Sequence, residues 1–126
     1  MRKGKAGLRY FYDTYALVEV LKGNPEYTRF VIEKDGITSR LNLMETYRFL
    51  LRSYDKTKAG RIFDSLLPFA VDFEDVDLKE AVLLKVKDSD LSYLDCLGYT
   101  LSRRLRLGFL TGDKEFSKYA GVVFVK

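Results

Sequence analysis

The stretch SYLDCLGYTLSRRLRLGFLTGDKEF, Ser92 to Phe116, decides how this chain folds. Leu94, Leu97, Leu101 and Leu105 recur at helical spacing, so Ser92 to Leu107 reads as one long helix with a leucine stripe. Gly108 is expected to close it. Phe109 to Thr111 then reads as a short apolar strand, halted at Gly112-Asp113 by an acid placed where the chain must turn. A helix feeding straight into a short buried strand is the second half of an alternating α/β unit.

The same alternation extends outward. Leu8 to Tyr12 reads as an aromatic strand with Asp13 directly after it, and Thr14 to Lys22 as a helix stopped by Gly23-Asn24-Pro25. Glu26 to Lys34 fits either a helix or a strand. Asp35-Gly36 is a turn, and Ile37 to Ser39 a short strand. Leu41 to Tyr54 is a helix with Leu43, Met44, Tyr47, Leu50, Leu51 and Tyr54 on its apolar face. Thr57 to Leu67 is another, ended before Pro68. Pro68 to Phe73 is expected to be a strand, Asp77 to Lys87 an amphipathic helix, and Val122 to Val125 a last strand buried on both faces. This is an α/β domain around a mainly parallel sheet, in which ligands bind beyond the carboxyl ends of the strands.

Composition narrows the chemistry. The 126 residues make one domain, 1–126, with a basic tail at 1–7. No apolar run approaches the ~18 residues of a membrane span, and a single Cys96 excludes an internal disulfide, which agrees with a cytoplasmic location. The chain has no His. That removes Ser/His and Cys/His nucleophilic sites and His-ligated zinc, so any metal must be held by oxygen. Net charge is +4, unevenly spread. Arg40 to Arg61 holds six basic residues against two acids, whereas Asp72 to Asp95 holds eight acids against three lysines. Basic and acidic stretches in one small domain fit a polyanion beside a cation site, or simply two solvated faces.

Asp13 and Asp113 each follow a strand, so parallel strands bring both to one sheet edge. Asp95 lies in the first turn of its helix, flanking the leucine stripe with Tyr99, Ser102 and Arg106. Glu45 lies roughly opposite the core face of its helix, near Arg48. Taken singly, each acid has an ordinary explanation: a turn residue at 113, a dipole-favoured acid at 95, an ion pair with Arg48 at 45. Gathered in one cleft they would repel one another unless a divalent cation or a proton compensates. In a chain without His, metal-assisted hydrolysis of a phosphodiester by metal-activated water is the chemistry such a cleft suits.

The segments YFYDTYALVEVLKGNPEY, ITSRLNLMETYRFLL and SYLDCLGYTLSRRLRLGFLTGDKEF resemble, in order and spacing, the successive motifs of PIN domains, especially the small VapC-like toxin ribonucleases. The resemblance covers Leu8 to Val125. It implies a three-layer PIN-like sandwich with a mainly parallel sheet of four to five strands, and a helix for Glu26 to Lys34. It implies Asp13, Glu45, Asp95 and Asp113 as catalytic and metal-binding acids for Mg²⁺ or Mn²⁺, supported by Thr14 and Thr111. Cys96 departs from the alanine-type residue usual after the third acid.

The implied activity is a divalent-metal-dependent endoribonuclease, the toxin of a toxin–antitoxin pair, with an antitoxin protein as partner and a homodimer as the assembly. Arg48, Arg52, Lys56 and Arg106, with Lys58, Arg61, Arg103 and Arg104, become candidates for tracking an RNA backbone. Alternatives are a housekeeping PIN nuclease processing rRNA or tRNA, and a non-catalytic PIN-like RNA-binding module. A phosphoacceptor receiver needs an acidic pair near strand one, where only Asp13 stands. An aspartyl phosphatase needs a second Asp two residues on, where Tyr15 stands.

Overall fold

Strand β1 (Tyr10–Tyr12) is the centre of a five-stranded, all-parallel sheet of order β3-β2-β1-β4-β5. The structure, a computed structural model, describes residues 7–126; of the expected basic tail, residues 1–6 lie outside the described residues. The other strands are β2 (Gly36–Ser39), β3 (Ala70–Val71), β4 (Gly108–Thr111) and β5 (Val122–Phe124). Helices α1 (Thr14–Leu21), α2 (Ile32–Asp35), α3 (Arg40–Ser53), α4 (Lys56–Leu66), α5 (Asp75–Lys87) and α6 (Tyr93–Arg104) connect them.

Alternation along the central strands divides the interior into two cores. Tyr12 and Leu110 point to one side, against Ala16, Leu17, Leu43 and Leu66 of α1, α3 and α4. Phe11, Ile37 and Phe109 point to the other, against Ala81, Cys96 and Leu101 of α5 and α6. The result is the expected three-layer sandwich. Gly98 brings α6 close to the sheet: a Cβ there would stand 2.9 Å from Phe11 Cε1 and 3.3 Å from Phe109 Cε1. Helix α5 is fastened to α6 by Arg104, which donates two 2.8 Å bonds to the buried Asp77 carboxylate and holds it below its ordinary pKa.

Several expectations need correction. Glu26 to Lys34 is not one helix: a 3₁₀ turn (Pro25–Tyr27) and α2 are separated by extended backbone at Val31, so that Tyr27, Phe30 and Ile32 can all enter the core. The strand expected at Pro68 to Phe73 shrinks to Ala70–Val71, because Leu67–Phe69 is a 3₁₀ turn started around Pro68. Among the described residues strand β5 pairs only with β4, and Phe124 is 37% exposed, so it is an edge strand rather than one buried on both faces. Met44 and Leu51, expected in the core face of α3, are exposed, and Asn42 and Thr46 are buried instead. Helix α5 buries Asp77 and Ala81 and leaves Val76, Leu78, Val82, Leu83 and Val86 exposed, so it lacks the expected amphipathic division. Helix α6 ends before Gly108: Arg106 takes the left-handed turn at φ 59°, and Gly108 lets β5 approach, since a Cβ there would lie 2.8 Å from Val123 Cγ2.

Gly98→Val overpacks the seam between α6 and the sheet. It should cost about 2–3 kcal/mol of stability by denaturant unfolding.

Candidate acidic site at the strand ends

The carboxyl ends of β1 and β4 lie side by side, with Tyr12 paired to Leu110 and the Asp13 N–H donating to the Leu110 carbonyl at 3.2 Å. Each acid here is mounted by a local turn. Asp13 is the N-cap of α1, its Oδ1 accepting from Ala16 N at 2.8 Å. Asp113 caps the 3₁₀ turn Lys114–Phe116 by accepting from Glu115 N at 2.9 Å. Asp95 shares a capping box with Ser92, accepting from Ser92 N while its own N–H donates to Ser92 Oγ at 3.0 Å. Capping satisfies the free N–H groups of a helix start, and here it also fixes carboxylates at one edge. The turn reading of Asp113 and the cap reading at Asp95 are therefore both true, and both carboxylates still act on Asp13.

Glu45 is mounted differently. Thr14 Oγ1 donates to Glu45 Oε1 at 2.7 Å, where an ion pair with Arg48 was the ordinary alternative. Thr14 is itself held by Asn42 Nδ2 at 3.0 Å, and Asn42 Oδ1 accepts from Ser39 Oγ. This directed relay, Ser39 to Asn42 to Thr14 to Glu45, ties the ends of β2 and β1 to the exposed carboxylate on α3. Sequence reasoning missed Asn42, which is 3% exposed. The available signal was Ser39-x-x-Asn42 at a helix start, where the cap serine and a buried amide meet.

The four acids form one electrostatic group. Burial pushes Asp13 up to about 7, with Asp95 and Asp113 adding to the rise while the hydrogen-bonded Thr111 hydroxyl and Ala16 N–H oppose it. Asp95 is also raised, first by burial and then by Asp113 and Glu45, against the pull of Ser92. Thr111 Oγ1 additionally accepts from Asp113 N at 3.0 Å, so this buried hydroxyl links the two strand-end acids. Among the described residues, no group of three or more acidic or cysteine side chains is arranged to hold a metal ion as it stands. The donor chemistry nevertheless fits a hard divalent cation, which prefers oxygen, keeps several of its waters and needs only one or two direct carboxylates.

The basic residues divide by place. Arg48 and Arg52 follow Glu45 along the exposed side of α3, and Lys56 opens α4. Helix α6 starts beside the acids and ends at their far side. Nine residues separate Asp95 from Arg104, about 13.5 Å of helix. Arg103, Arg104 and Arg106 thus sit at the opposite end of the sheet, and Arg104 is committed to Asp77. Arg106 thus lies beyond the end of α6 that is far from Asp95, whereas Arg48 lies one turn from Glu45.

A scan against family models matches residues 10–122 to the PIN domain. Among solved structures, a toxin–antitoxin complex from Klebsiella pneumoniae superposes with a TM-score of 0.75 at 19% identity, over 90% of this chain and 95% of that one. The sarcin–ricin-loop-cleaving toxin VapC20 of Mycobacterium tuberculosis gives 0.71 at 22% identity, over 93% and 98%. The protein PAE2754 of Pyrobaculum aerophilum gives 0.69 at 20% identity, over 94% and 91%. At these identities the likeness is one of fold. No curated protein matches the chain.

The Asp13 shift has a consequence for stability. Folded Asp13 keeps its proton to about pH 7, whereas the unfolded carboxyl loses it near 3.8. Between those values the native state binds more protons, so stability falls as pH rises. In EDTA at pH 8, Asp13→Asn should therefore melt above the parent by ~3 °C or more, and the gap should close by pH 4. Added Mn²⁺ should narrow the pH 8 gap by stabilising the parent, as thermal unfolding followed by circular dichroism would report.

Proposed function

The chain belongs to the PIN domain family, and from that premise we propose that it is a divalent-metal-dependent endoribonuclease, the toxin half of a toxin–antitoxin pair. The observation that carries the reading is the mutual electrostatic coupling of Asp13, Glu45, Asp95 and Asp113 at one sheet edge. Asp13 and Asp95, buried and crowded in this way, are costly to ionise without a cation. The toxin assignment draws support from likeness in fold to a toxin–antitoxin complex and to a toxin that cleaves the sarcin–ricin loop. An antitoxin protein is the partner that reading entails, with a homodimer as the assembly and the cytoplasm as the place.

Asp13, Asp95 and Asp113 would hold Mg²⁺ or Mn²⁺. When bound, the ion supplies positive charge that acidifies water and offsets charge gathering on the phosphate. The chain's own residues set the rest. Asp13, 4% exposed, cannot meet substrate and instead fixes the charge of the cleft floor. Ser92 and the turn at Lys114–Phe116 hold Asp95 and Asp113 through one carboxylate oxygen each. Glu45 is exposed and is held by Thr14, so it is the carboxylate best placed to orient a water or receive its proton at the cleft mouth. Arg48 and Arg52, on the same side of α3, give the RNA backbone a path to Glu45.

Purified protein should cleave single-stranded or looped RNA with Mn²⁺ and not with EDTA. Asp95→Asn and Asp113→Asn should each lower the rate by about 100-fold or more, the scale of losing one group that acts on the transition state. Undiminished cleavage in both variants would end this reading. RNA binding without cleavage would favour the non-catalytic module, and failure to co-purify with a small partner would favour the housekeeping nuclease. Arg48→Ala and Arg52→Ala should each flatten the slope of log affinity against log salt by about 0.7 for single strands, while Arg106→Ala should leave it unchanged.

A further inference from the structure

Tyr15 stands in the first turn of α1, two residues after Asp13 and one after Thr14. Its ring lies against the backbone of Gly112, the residue before Asp113. A Cβ on Gly112 would collide with Tyr15 Cε1, and would stand 2.7 Å from Tyr15 Cδ1 and 2.6 Å from the Val125 carbonyl. Gly112 is buried, yet Tyr15 is 42% exposed. One side of the ring is thus seated on the turn that carries Asp113, and the rest faces solvent.

The neighbouring tyrosines are used up. Tyr12 donates its hydroxyl to Asp35 at 2.9 Å, and Tyr27 donates to the Val125 carbonyl at 2.6 Å while its ring packs on Phe30. Among the described residues, no hydrogen bond or ring pair engages the Tyr15 side chain. An immobilised aromatic ring with a solvent-facing side costs little entropy to use and offers a π-face that any base can stack on. It adjoins Thr14, which orients Glu45, and Gly112, which leads into Asp113.

We propose that Tyr15 is a base-stacking platform at the rim of the acidic cleft, taking one nucleobase of a single-stranded RNA beside the phosphate presented to the acids. The proposal rests on the ribonuclease reading for its substrate. It predicts sequence-tolerant capture of unpaired RNA and rejection of duplex, whose bases are already stacked.

Two measurements test it. In the first, an RNA strand carrying 2-aminopurine is titrated with protein in EDTA, where base stacking quenches the fluorophore. The parent and Tyr15→Phe should quench it, and Tyr15→Ala and Tyr15→Leu should not; the same RNA in duplex form should be unaffected. In the second, cleavage is followed with Mn²⁺. Tyr15→Ala and Tyr15→Leu should raise KM about 10-fold, within the range seen when a stacking residue is truncated, with kcat changed far less, and Tyr15→Phe should match the parent. Tyr93→Ala removes a ring 60% exposed and about 200° around α6 from Asp95; it should leave both readouts at parent values.

Equal quenching by parent and Tyr15→Ala overturns the proposal, as does full rescue by Tyr15→Leu, which would make the ring mere packing. Unchanged RNA behaviour with lost binding of a co-purifying protein would assign the ring to a protein contact and overturn it too. Because quenching is read without cleavage, an inactive parent that still quenches through Tyr15 supports the platform while refuting the nuclease.

Discussion

A parallel sheet delivers every strand to the same edge, and each strand must there give way to a turn or helix whose first N–H groups need acceptors. That constraint organises this molecule. At β1 and β4 the acceptor is a carboxylate, and at the start of α6 a third carboxylate completes a capping box. The same bonds that begin these segments bring like charges together. Folding here does not tolerate the acids as passengers; it uses the carboxylate of each as a cap.

The electrostatic cost falls unevenly. Asp13 is enclosed between the two central strands and bears most of it, which is why its proton is held so far above the ordinary range. Thr111 moderates the strain from below by bonding both strand-end acids. Glu45 stands in solvent, at the end of a relay of neutral hydroxyl and amide groups that fixes its direction without adding charge. The site therefore grades from a buried carboxyl at its floor to an exposed one on α3. Closer packing elsewhere supports that gradient: Gly98 keeps α6 tight against β1 and β4, so Asp95 cannot drift away from Asp113.

Much of this was legible in the chain. The leucine spacing of α6, the strand Phe109 to Thr111 and the acids after β1 and β4 follow from local periodicity, and parallel strands do the rest. What was hidden depended on partners distant in sequence. Met44 and Leu51 read as core because a helical wheel records hydrophobicity without knowing where the sheet lies; the buried face of α3 instead carries Asn42, which joins the relay from β2, and Thr46, whose hydroxyl donates back to the Asn42 carbonyl. Arg106 reads as a neighbour of Asp95 on the wheel, yet rise along the axis carries it to the other end of the sheet. Gly108 looked like a helix stop and is a close-approach residue for a strand that reads as buried on both faces and lies at the sheet edge. Periodicity gives faces; it does not give heights or neighbours.

Cys96 follows Asp95 directly, and its side chain turns the other way, into the core beneath α6. Burial pushes its thiol pKa up, with the Asp95 carboxylate adding to the rise. The only sulfhydryl in the chain is thus kept protonated and out of reach of oxidants. Although it lies one residue from the centre of the cleft, peroxide or a disulfide-forming partner has no purchase there. Any restraint on this site must arrive as charge or as bulk covering the acids, and redox chemistry is closed to it by the way a single helix is turned.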